Sequence, residues 1–196
     1  MHLQRLMSSN LILASQSPRR QALLRALGLE FEVRSSDIEE LTLSDQGPQA
    51  LAMENARLKA DDIAQKAPGH WVIGSDTVVA LGDRVFGKPG SRADAEAMLA
   101  ELQGQTHQVF SGVCLQNREQ TAAELWCGET LVSFRNLSRT QIEFYLDQMN
   151  PLDKAGAYAI QEGGEYIISG VEGSLSNVVG LPLDSLEERL RKYQIL

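Results

Sequence analysis

The hydrophobic positions of this chain form short β-type runs that alternate with segments of helical spacing. Runs rich in apolar and β-branched residues predict strands at residues 11–15, 31–35, 71–81, 107–116, 124–135, 156–160 and 165–171. Apolar residues three or four positions apart predict helices at residues 18–27, 48–66, 91–102, 138–148 and 183–196. This mixture predicts an α/β fold, in which a mixed twisted sheet with flanking helices forms two lobes around a cleft.

Capping and turn residues support several of these boundaries. Ser17 before Pro18 is typical of a helix start, because a hydroxyl accepts an orphan backbone N–H and proline has none to satisfy. Ser138 and Gln141 form the pattern of a capping box. The Gly-Asp pair at residues 82–83 predicts a hairpin directly after the long central strand.

Length and charge limit the possible classes of protein. The chain has 196 residues, 43% of them hydrophobic, which predicts one domain over residues 1–196 with residues 1–9 as a flexible N-terminal extension. The formal net charge of -8 argues against nucleic-acid or membrane partners, which usually require a basic face. It does not exclude a small anionic substrate, because a few clustered cations form a local positive pocket.

The cysteines and the N-terminal segment predict a cytoplasmic protein. Cys114 and Cys127 are the only cysteines and form no closely spaced pair, which favours reduced thiols. No apolar run approaches the roughly 18 residues of a membrane span, and residues 1–10 lack the apolar region of a signal peptide.

Two arginines stand where a helix carries partial positive charge. Arg19 and Arg20 directly follow Pro18, although Asp or Glu is favoured at this end of a helix. A bound anion would resolve this conflict, because the N–H groups of a helix N-terminus bind negative charge. The sequence therefore predicts an anion-binding segment here.

A near match to the phosphate-binding pattern G-x-x-x-x-G-K-[ST] occurs at residues 82–89. Pro89 stands at its last position and supplies neither a hydroxyl for Mg²⁺ nor an N–H for phosphate. We therefore reject a P-loop here; a P-loop kinase is a third hypothesis, and Pro89 counts against it. Lys88 is then either a cation of another kind of site or an ordinary surface lysine.

Carboxylates occur at two places that would suit a divalent cation. Asp76 lies within the apolar run 71–81, where a buried carboxylate needs a metal or cation nearby; the alternative is an aspartate in an exposed turn. Residues 37–40, Asp-Ile-Glu-Glu, are a solvated loop unless they face Asp76. In that case they would complete a magnesium site, which needs one or two carboxylates and substrate phosphates.

Zinc and serine-hydrolase chemistry have less support. His2, His70 and His107 lack the spacing of zinc ligands, and the chain has no G-x-S-x-G nucleophile elbow. The residues therefore favour a site in which carboxylates hold magnesium and Arg and Lys bind phosphate.

Six sequence blocks resemble the Maf proteins, a family of nucleoside triphosphate pyrophosphatases related in fold to inosine triphosphate pyrophosphatase. In chain order the blocks are SQSPRRQALL, GSDTVV, GKP, GQTHQVFSGV, DKAGAYAIQ and NVVGLPL. The resemblance implies hydrolysis between the α- and β-phosphates of a nucleotide, which yields a nucleoside monophosphate and pyrophosphate. It also implies a divalent cation (Mg²⁺, with Mn²⁺ or Co²⁺ as alternatives) and a homodimer.

The same resemblance implies roles for individual residues. Asp76 corresponds to the general base for the attacking water and, with Glu40, to a metal ligand; base and ligand roles for Asp76 stay open. Glu40 and Lys88 are further expected catalytic residues. The expected phosphate and substrate contacts are Ser17, Arg19, Arg20, Lys59 and Lys88.

Three positions separate the branches of this family by substrate. In this chain they are Arg19, Thr77 and Gln161. These residues resemble the dTTP/UTP pyrophosphatase branch, whereas the 7-methyl-GTP branch has Trp, Gln and Glu. The chain departs from the pyrimidine branch at Ser75, where Ala is more usual, and at Glu162 and Glu165, where glycines are common. The preferred nucleotide among dTTP, UTP and modified pyrimidines stays open.

The alternative hypothesis is a nucleotide-binding regulator of cell division or septum formation that acts through a protein partner without turnover. Retention of both Asp76 and Glu40 favours the enzyme, because a protein that only binds nucleotide needs no general base. Pyrophosphate release from a panel of nucleotides distinguishes the two hypotheses.

Overall fold

Seven strands and seven helices make up residues 10–196, the part of the chain that the computed structural model describes. The strands are β1 Leu11–Leu13, β2 Glu32–Val33, β3 Trp71–Leu81, β4 Arg84–Phe86, β5 Thr106–Asn117, β6 Ala122–Phe134 and β7 Ile168–Glu172. The helices are α1 Pro18–Ala26, α2 Pro48–Lys66, α3 Arg92–Leu102, α4 Arg139–Asp147, α5 Gly164–Ile167, α6 Leu175–Val179 and α7 Leu183–Lys192. The predicted N-terminal extension, residues 1–9, lies outside the described residues.

The strands form one mixed sheet in the order β2-β1-β3-β5-β6-β7, with β4 paired to β3. β1 is parallel to β2 and β3, whereas β3, β5, β6 and β7 pair in antiparallel fashion. The predicted mixed sheet is therefore confirmed. None of the helices in residues 10–196 combines the length and the apolarity that crossing a bilayer requires.

Local sequence signals are confirmed where they concern caps and turns. Ser17 accepts a hydrogen bond from the backbone N–H of Arg20 and caps α1. Ser138 and Gln141 form the capping box of α4. Residues 82–83 turn β3 into β4. These features depend on neighbours in sequence, so a single sequence is enough to predict them.

One edge of β3 is shared by two different strands. β1 pairs with residues 71–73 of β3, and β4 pairs with residues 79–81. Between these pairings, residues 74–78 have no strand partner on this edge within the part of the chain described here. The edge therefore opens at the middle of β3, where the candidate residues Asp76 and Thr77 lie.

One face of the sheet, the face on which the side chains of Ser75 and Thr77 lie, carries an apolar cluster at each end of its long strands. One cluster includes Leu99 of α3, Tyr145 of α4 and Phe134 of β6, and the other joins α1 and α7 through Leu24 and Leu186. The side chains of Ser75 and Thr77 lie between the clusters. The two clusters flank this polar strip, and Thr77 in the strip lines the cavity described below.

Helix α2 packs unusually close to the other face of the sheet. A Cβ at Gly74 would lie 2.7 Å from the backbone N of Ala60, and one at Gly112 would lie 2.6 Å from the N of Met53. Gly112 pairs directly with Asp76 in the β3–β5 ladder. The missing side chains therefore let α2 approach β3 beside Asp76.

Three predicted elements near the C-terminus differ from the structure. Residues 156–160 do not form a strand; Ala155–Ala157 is a 3₁₀ turn in which Gly156 has φ 69° and Ala157 φ 61°. Residues 165–171 begin as helix α5, and strand β7 starts only at Ile168. Helix α7 ends at Lys192 and not at residue 196. In the first two segments Tyr158 and Ile167 are buried against α3, α4 and the sheet, so their apolar character reflects tertiary packing and not a strand.

Candidate active site

A cavity of about 380 Å³ opens at the unpaired edge of β3. Its walls come from the β1–α1 loop, the loop after β2, the middle of β3, the loop after β4 and the segment 153–161. The sequence-predicted site residues all line this cavity; they are Ser17, Arg19, Arg20, Glu40, Lys59, Asp76, Thr77, Lys88 and Gln161. The fold thus brings together residues that are up to 144 positions apart in the sequence.

Asp76 is a buried carboxylate whose charge is compensated by a lysine. Only 8% of the residue is exposed, and Lys59 Nζ lies 2.7 Å from its Oδ1. The same ammonium lies 2.8 Å from Oε1 of Glu40. A buried carboxylate at Asp76 needs a cation nearby, and Lys59 supplies it. The ammonium of Lys59 lies between the two carboxylates, and its expected contact with phosphate stays a prediction.

Asn55, which no sequence pattern singled out, joins Asp76 to the loop that carries Glu40. Its Nδ2 donates to Asp76 Oδ2 at 3.2 Å and to the carbonyl of Leu41 at 3.0 Å. Its Oδ1 accepts the backbone N–H of Leu41 at 2.8 Å. Asn55 therefore fixes the loop that carries Glu40 against the wall that carries Asp76. A buried Asn one helical turn before Lys59 is the only local signal for this role.

Glu40 is ionised over a wider pH range than an ordinary glutamate. Partial burial raises the pKa of its carboxyl, but the hydrogen bond from Lys59 and the charges of Lys88 and Arg20 outweigh this effect and lower the pKa. The cations around the cavity thus favour a negative charge on Glu40.

The paired carboxylates fit a divalent cation. Glu40 and Asp76 approach one positively charged nitrogen from two sides, and hard oxygen ligands of this kind are those that Mg²⁺ prefers. Within residues 10–196, no group of three or more His, Cys, Asp or Glu side chains is arranged to hold a metal. Two carboxylates are an incomplete donor set, so a divalent cation bound here would need its remaining ligands from phosphate and water.

Arg20 lies on the opposite face of β3 and has only neutral partners among the residues described. Its Nε donates to the carbonyl of Gly180 at 3.0 Å, Nη1 to Ser15 Oγ at 3.2 Å and Nη2 to Thr77 Oγ1 at 3.0 Å. Burial lowers the pKa of Arg20 from its ordinary value, and the charges of Asp76 and Glu40 oppose this decrease. Its positive charge is therefore held at the cavity without a carboxylate in direct contact.

Arg19 spans the mouth of the cavity. Its Nη1 lies 3.1 Å from Oδ2 of Asp153, in the segment that also supplies Gln161. The neighbouring Lys154 is buried, and its ammonium contacts Asp153 at 2.8 Å and Glu162 at 3.3 Å. The carboxylate of Glu162 thus has a partner, which accounts for a charge where a glycine is common. Asp153 and Lys154 are further cavity residues that the sequence analysis did not single out.

Ser75, the other position at which the chain departs from the pyrimidine branch, is buried, and its hydroxyl is hydrogen-bonded. Its hydroxyl donates to the carbonyl of Gly180 at 3.0 Å, the same oxygen that accepts from Arg20 Nε. Lys88, in contrast, is exposed at the cavity rim and makes no ion pair within residues 10–196. Its position before Pro89 leaves its ammonium available to an anion in the cavity.

The geometry defines a class of site: a cleft in which two carboxylates and several cations can receive a phosphorylated ligand together with a divalent cation. The family model described as "Maf-like protein" matches residues 10–193, and the chain belongs to the Maf family.

Similar proteins share most of the chain's length. A protein of Geotalea uraniireducens named dTTP/UTP pyrophosphatase is 44% identical over 184 residues, which cover 94% of this chain and 95% of that protein. One of Myxococcus xanthus with the same name is 47% identical over 173 residues, covering 88% of this chain and 87% of that protein. A third, from Geobacter sulfurreducens, is 41% identical over 186 residues, 95% of this chain and 97% of that protein.

Proposed function

We propose that this protein is a nucleoside triphosphate pyrophosphatase that hydrolyses dTTP and UTP to the nucleoside monophosphate and pyrophosphate. The observation that carries the proposal is that Asp76 and Glu40 converge on the ammonium of Lys59, and that Arg20 lines the same cavity from the opposite face of β3. The names of the relatives support the reaction and the pyrimidine substrates.

The cations of the cavity divide into two groups by their contacts. Arg20 and Lys88 have no carboxylate in direct contact within the described residues, so their charge is available to the triphosphate and the departing pyrophosphate. Ser17 begins α1 at the cavity wall, where the helix N-terminus adds backbone N–H groups. Lys59 completes the cavity wall and keeps the two carboxylates close together.

Asp76 is the residue that we assign to proton transfer. Its carboxylate lies at the cavity and is fixed by Lys59 and Asn55, so it can accept the proton of a water that attacks the nucleotide. Glu40 and Asp76 would hold Mg²⁺, with Mn²⁺ or Co²⁺ as alternatives. When bound, such an ion neutralises phosphate charge and lowers the pKa of bound water.

Arg19 and Gln161 are the residues that we assign to recognition of the pyrimidine end of the substrate. Both line the cavity: Arg19 contacts Asp153 of the segment 153–161, and Gln161 is the last residue of that segment. The contact between Arg19 and Asp153 is exposed, so a substrate can compete for the guanidinium at little cost. Thr77 belongs to the same predicted set and also lies on the cavity wall.

The alternative of a regulator without turnover is not favoured. A protein that only binds nucleotide gains nothing from a buried carboxylate that needs Lys59 and Asn55 to compensate it. The homodimer and the cytoplasmic location stay predictions.

The test is a panel of nucleotides with Mg²⁺, in which pyrophosphate and orthophosphate are measured separately. The proposal expects pyrophosphate from dTTP and UTP, no orthophosphate, and slower turnover of dCTP, GTP and ATP. Equilibrium binding of each nucleotide is measured in parallel. Tight binding of dTTP without any product would support the regulator, and orthophosphate as the first product would exclude a pyrophosphatase.

A further inference from the structure

The hydroxyls of Thr77 and Ser111 and the backbone carbonyl of Asn177 form a hydrogen-bond chain whose direction can be deduced. Thr77 and Ser111 stand directly opposite each other on β3 and β5, with their hydroxyl oxygens 2.9 Å apart. Ser111 Oγ also lies 2.8 Å from the carbonyl oxygen of Asn177, which can only accept. Because a serine hydroxyl has one proton, Ser111 donates to Asn177 and accepts from Thr77.

This direction determines what Thr77 presents to the cavity. Its only hydroxyl proton is donated to Ser111, so towards Arg20 Nη2, 3.0 Å away, it offers a lone pair. The hydroxyl therefore has no proton for a nucleobase. It acts as a fixed acceptor for the guanidinium.

The end of this chain is fixed as well. Asn177 is fully buried, and its Nδ2 donates to the carbonyl of Val109 at 2.9 Å and to Thr130 Oγ1 at 3.0 Å. The carbonyl of Gly180, three residues later, accepts from Arg20 Nε. The segment that holds Ser111 thus also holds Arg20 from a second direction.

We propose that Thr77 and Ser111 are positioning residues that orient Arg20 for the triphosphate, and that Thr77 influences substrate choice through Arg20 rather than by contact with the base. The proposal rests on the proposed function, since it assigns the ligand of Arg20 to the triphosphate. With three of its five N–H groups committed to Gly180, Ser15 and Thr77, the guanidinium keeps two for phosphate oxygens.

The test compares variants that remove or keep the acceptor. Thr77→Val and Ser111→Ala break the chain, whereas Thr77→Ser keeps the hydroxyl. Ser133→Ala is the matched control, because Ser133 makes a similar hydroxyl pair with Thr106, at 2.8 Å, on the exposed ends of β5 and β6. Thermal unfolding of each variant is measured first, so that the assay temperature can be kept below the unfolding transition.

Two measurements are made on each variant. The first is KM and kcat for dTTP, UTP and GTP; the second is the Kd of inorganic tripolyphosphate, which has no base and needs no turnover. Thr77→Val should raise KM and the tripolyphosphate Kd about tenfold, the effect of one hydrogen bond to a charged group. Ser111→Ala should raise both by about threefold to tenfold. Thr77→Ser should recover most of the affinity that Thr77→Val loses, and Ser133→Ala should stay near the wild type. The dTTP-to-GTP ratio of kcat/KM should change only in variants whose tripolyphosphate Kd also rises.

The opposite results would overturn the proposal. A changed ratio of dTTP to GTP hydrolysis in Thr77→Val, with an unchanged tripolyphosphate Kd, would show that Thr77 reads the base directly. Equal behaviour of Ser111→Ala and Ser133→Ala would exclude a role for Ser111. If the wild type hydrolyses no nucleotide, the proposed function fails, yet the tripolyphosphate series still decides whether the chain orients Arg20.

Discussion

The charged groups on the two faces of β3 differ in whether the protein itself neutralises them. On the face towards α2, Asp76 and Glu40 share the ammonium of Lys59, so negative and positive groups compensate each other within the protein. On the other face, Arg20 is bonded to a carbonyl and two hydroxyls, which fix its position without neutralising it.

This difference shows which charges belong to the fold and which are available to a ligand. Burying the carboxylate of Asp76 without a cation would be costly, so Lys59 stabilises the folded protein itself. Arg20 keeps its charge at a helix start that already favours anions. A triphosphate would therefore supply to Arg20 the negative charge that Asp76 and Glu40 supply to Lys59.

The largest effect is expected at the face that carries Asp76. Asp76→Asn removes the proton acceptor while keeping the shape of the side chain, so kcat for dTTP should fall by about 10²- to 10⁴-fold with little change in KM. Pyrophosphate release measures this loss. Asp83→Asn, in the exposed turn after the same strand, is the control and should behave like the wild type. A rate within threefold of the wild type in Asp76→Asn would show that another group takes the proton.

Replacing Arg20 or Lys59 with methionine should change different properties of the protein. Arg20→Met should raise KM for dTTP by about 10- to 100-fold, because a charge-assisted contact to phosphate is lost, with little effect on the ligand-free melting temperature. Lys59→Met should instead destabilise the ligand-free protein by about 3 kcal/mol, because two carboxylates lose their cation. Urea unfolding and steady-state kinetics measure the two effects. Equal destabilisation by both variants would contradict the division between the faces.

The close approach of α2 can be tested at Gly112. A methyl group there would push against the backbone of Met53, so Gly112→Ala should cost about 1–3 kcal/mol of stability and move Asn55 and Lys59 away from Asp76. We expect lower kcat together with a lower melting temperature. Gly170→Ala is the control, since its Cβ would meet Ser133 at an ordinary 3.9 Å. An active and stable Gly112→Ala protein would show that the helix has room to move.

The smallest effect is expected at the rim. Glu162→Gln removes a carboxylate 3.3 Å from the ammonium of Lys154 and leaves more positive charge at the cavity, so KM for dTTP should fall by about twofold at low salt. The change should vanish at high ionic strength. Glu165→Gln, a charge change of the same size on the neighbouring helix α5, should leave KM unchanged. A larger effect at Glu165 would place the substrate nearer to α5 than we propose.

Features with local causes were predictable from the sequence. The caps at Ser17 and Ser138, the turn at residues 82–83 and the full extent of α2 and β3 depend on residues next to one another. Segment 156–171 was predicted less well, because its apolar residues are buried by contacts with distant parts of the chain. Gly156 and Ala157 adopt positive φ there, which no strand accommodates.

The candidate residues were also predictable from the sequence, but their contacts were not. An arginine pair at a helix start and a carboxylate inside an apolar strand are local patterns, and they indicate a phosphate and a cation. The shared ammonium of Lys59 and the clamp formed by Asn55 join residues 40, 55, 59 and 76. Their proximity depends on Gly74 and Gly112, whose role comes from packing and leaves no local pattern.

The sequence by itself therefore determined the five longer helices (α1 to α4 and α7), most strands, the family resemblance and the residue types of the site, since each follows from local chemistry or from ordered motifs. The short helices α5 and α6 were not predicted. Only the tertiary structure decided that Lys59 compensates Asp76 and Glu40, whereas Arg20 has no carboxylate in direct contact among the described residues. The physical reason is that compensation requires contact within about 4 Å, and such contacts form only when the sheet and α2 are packed together.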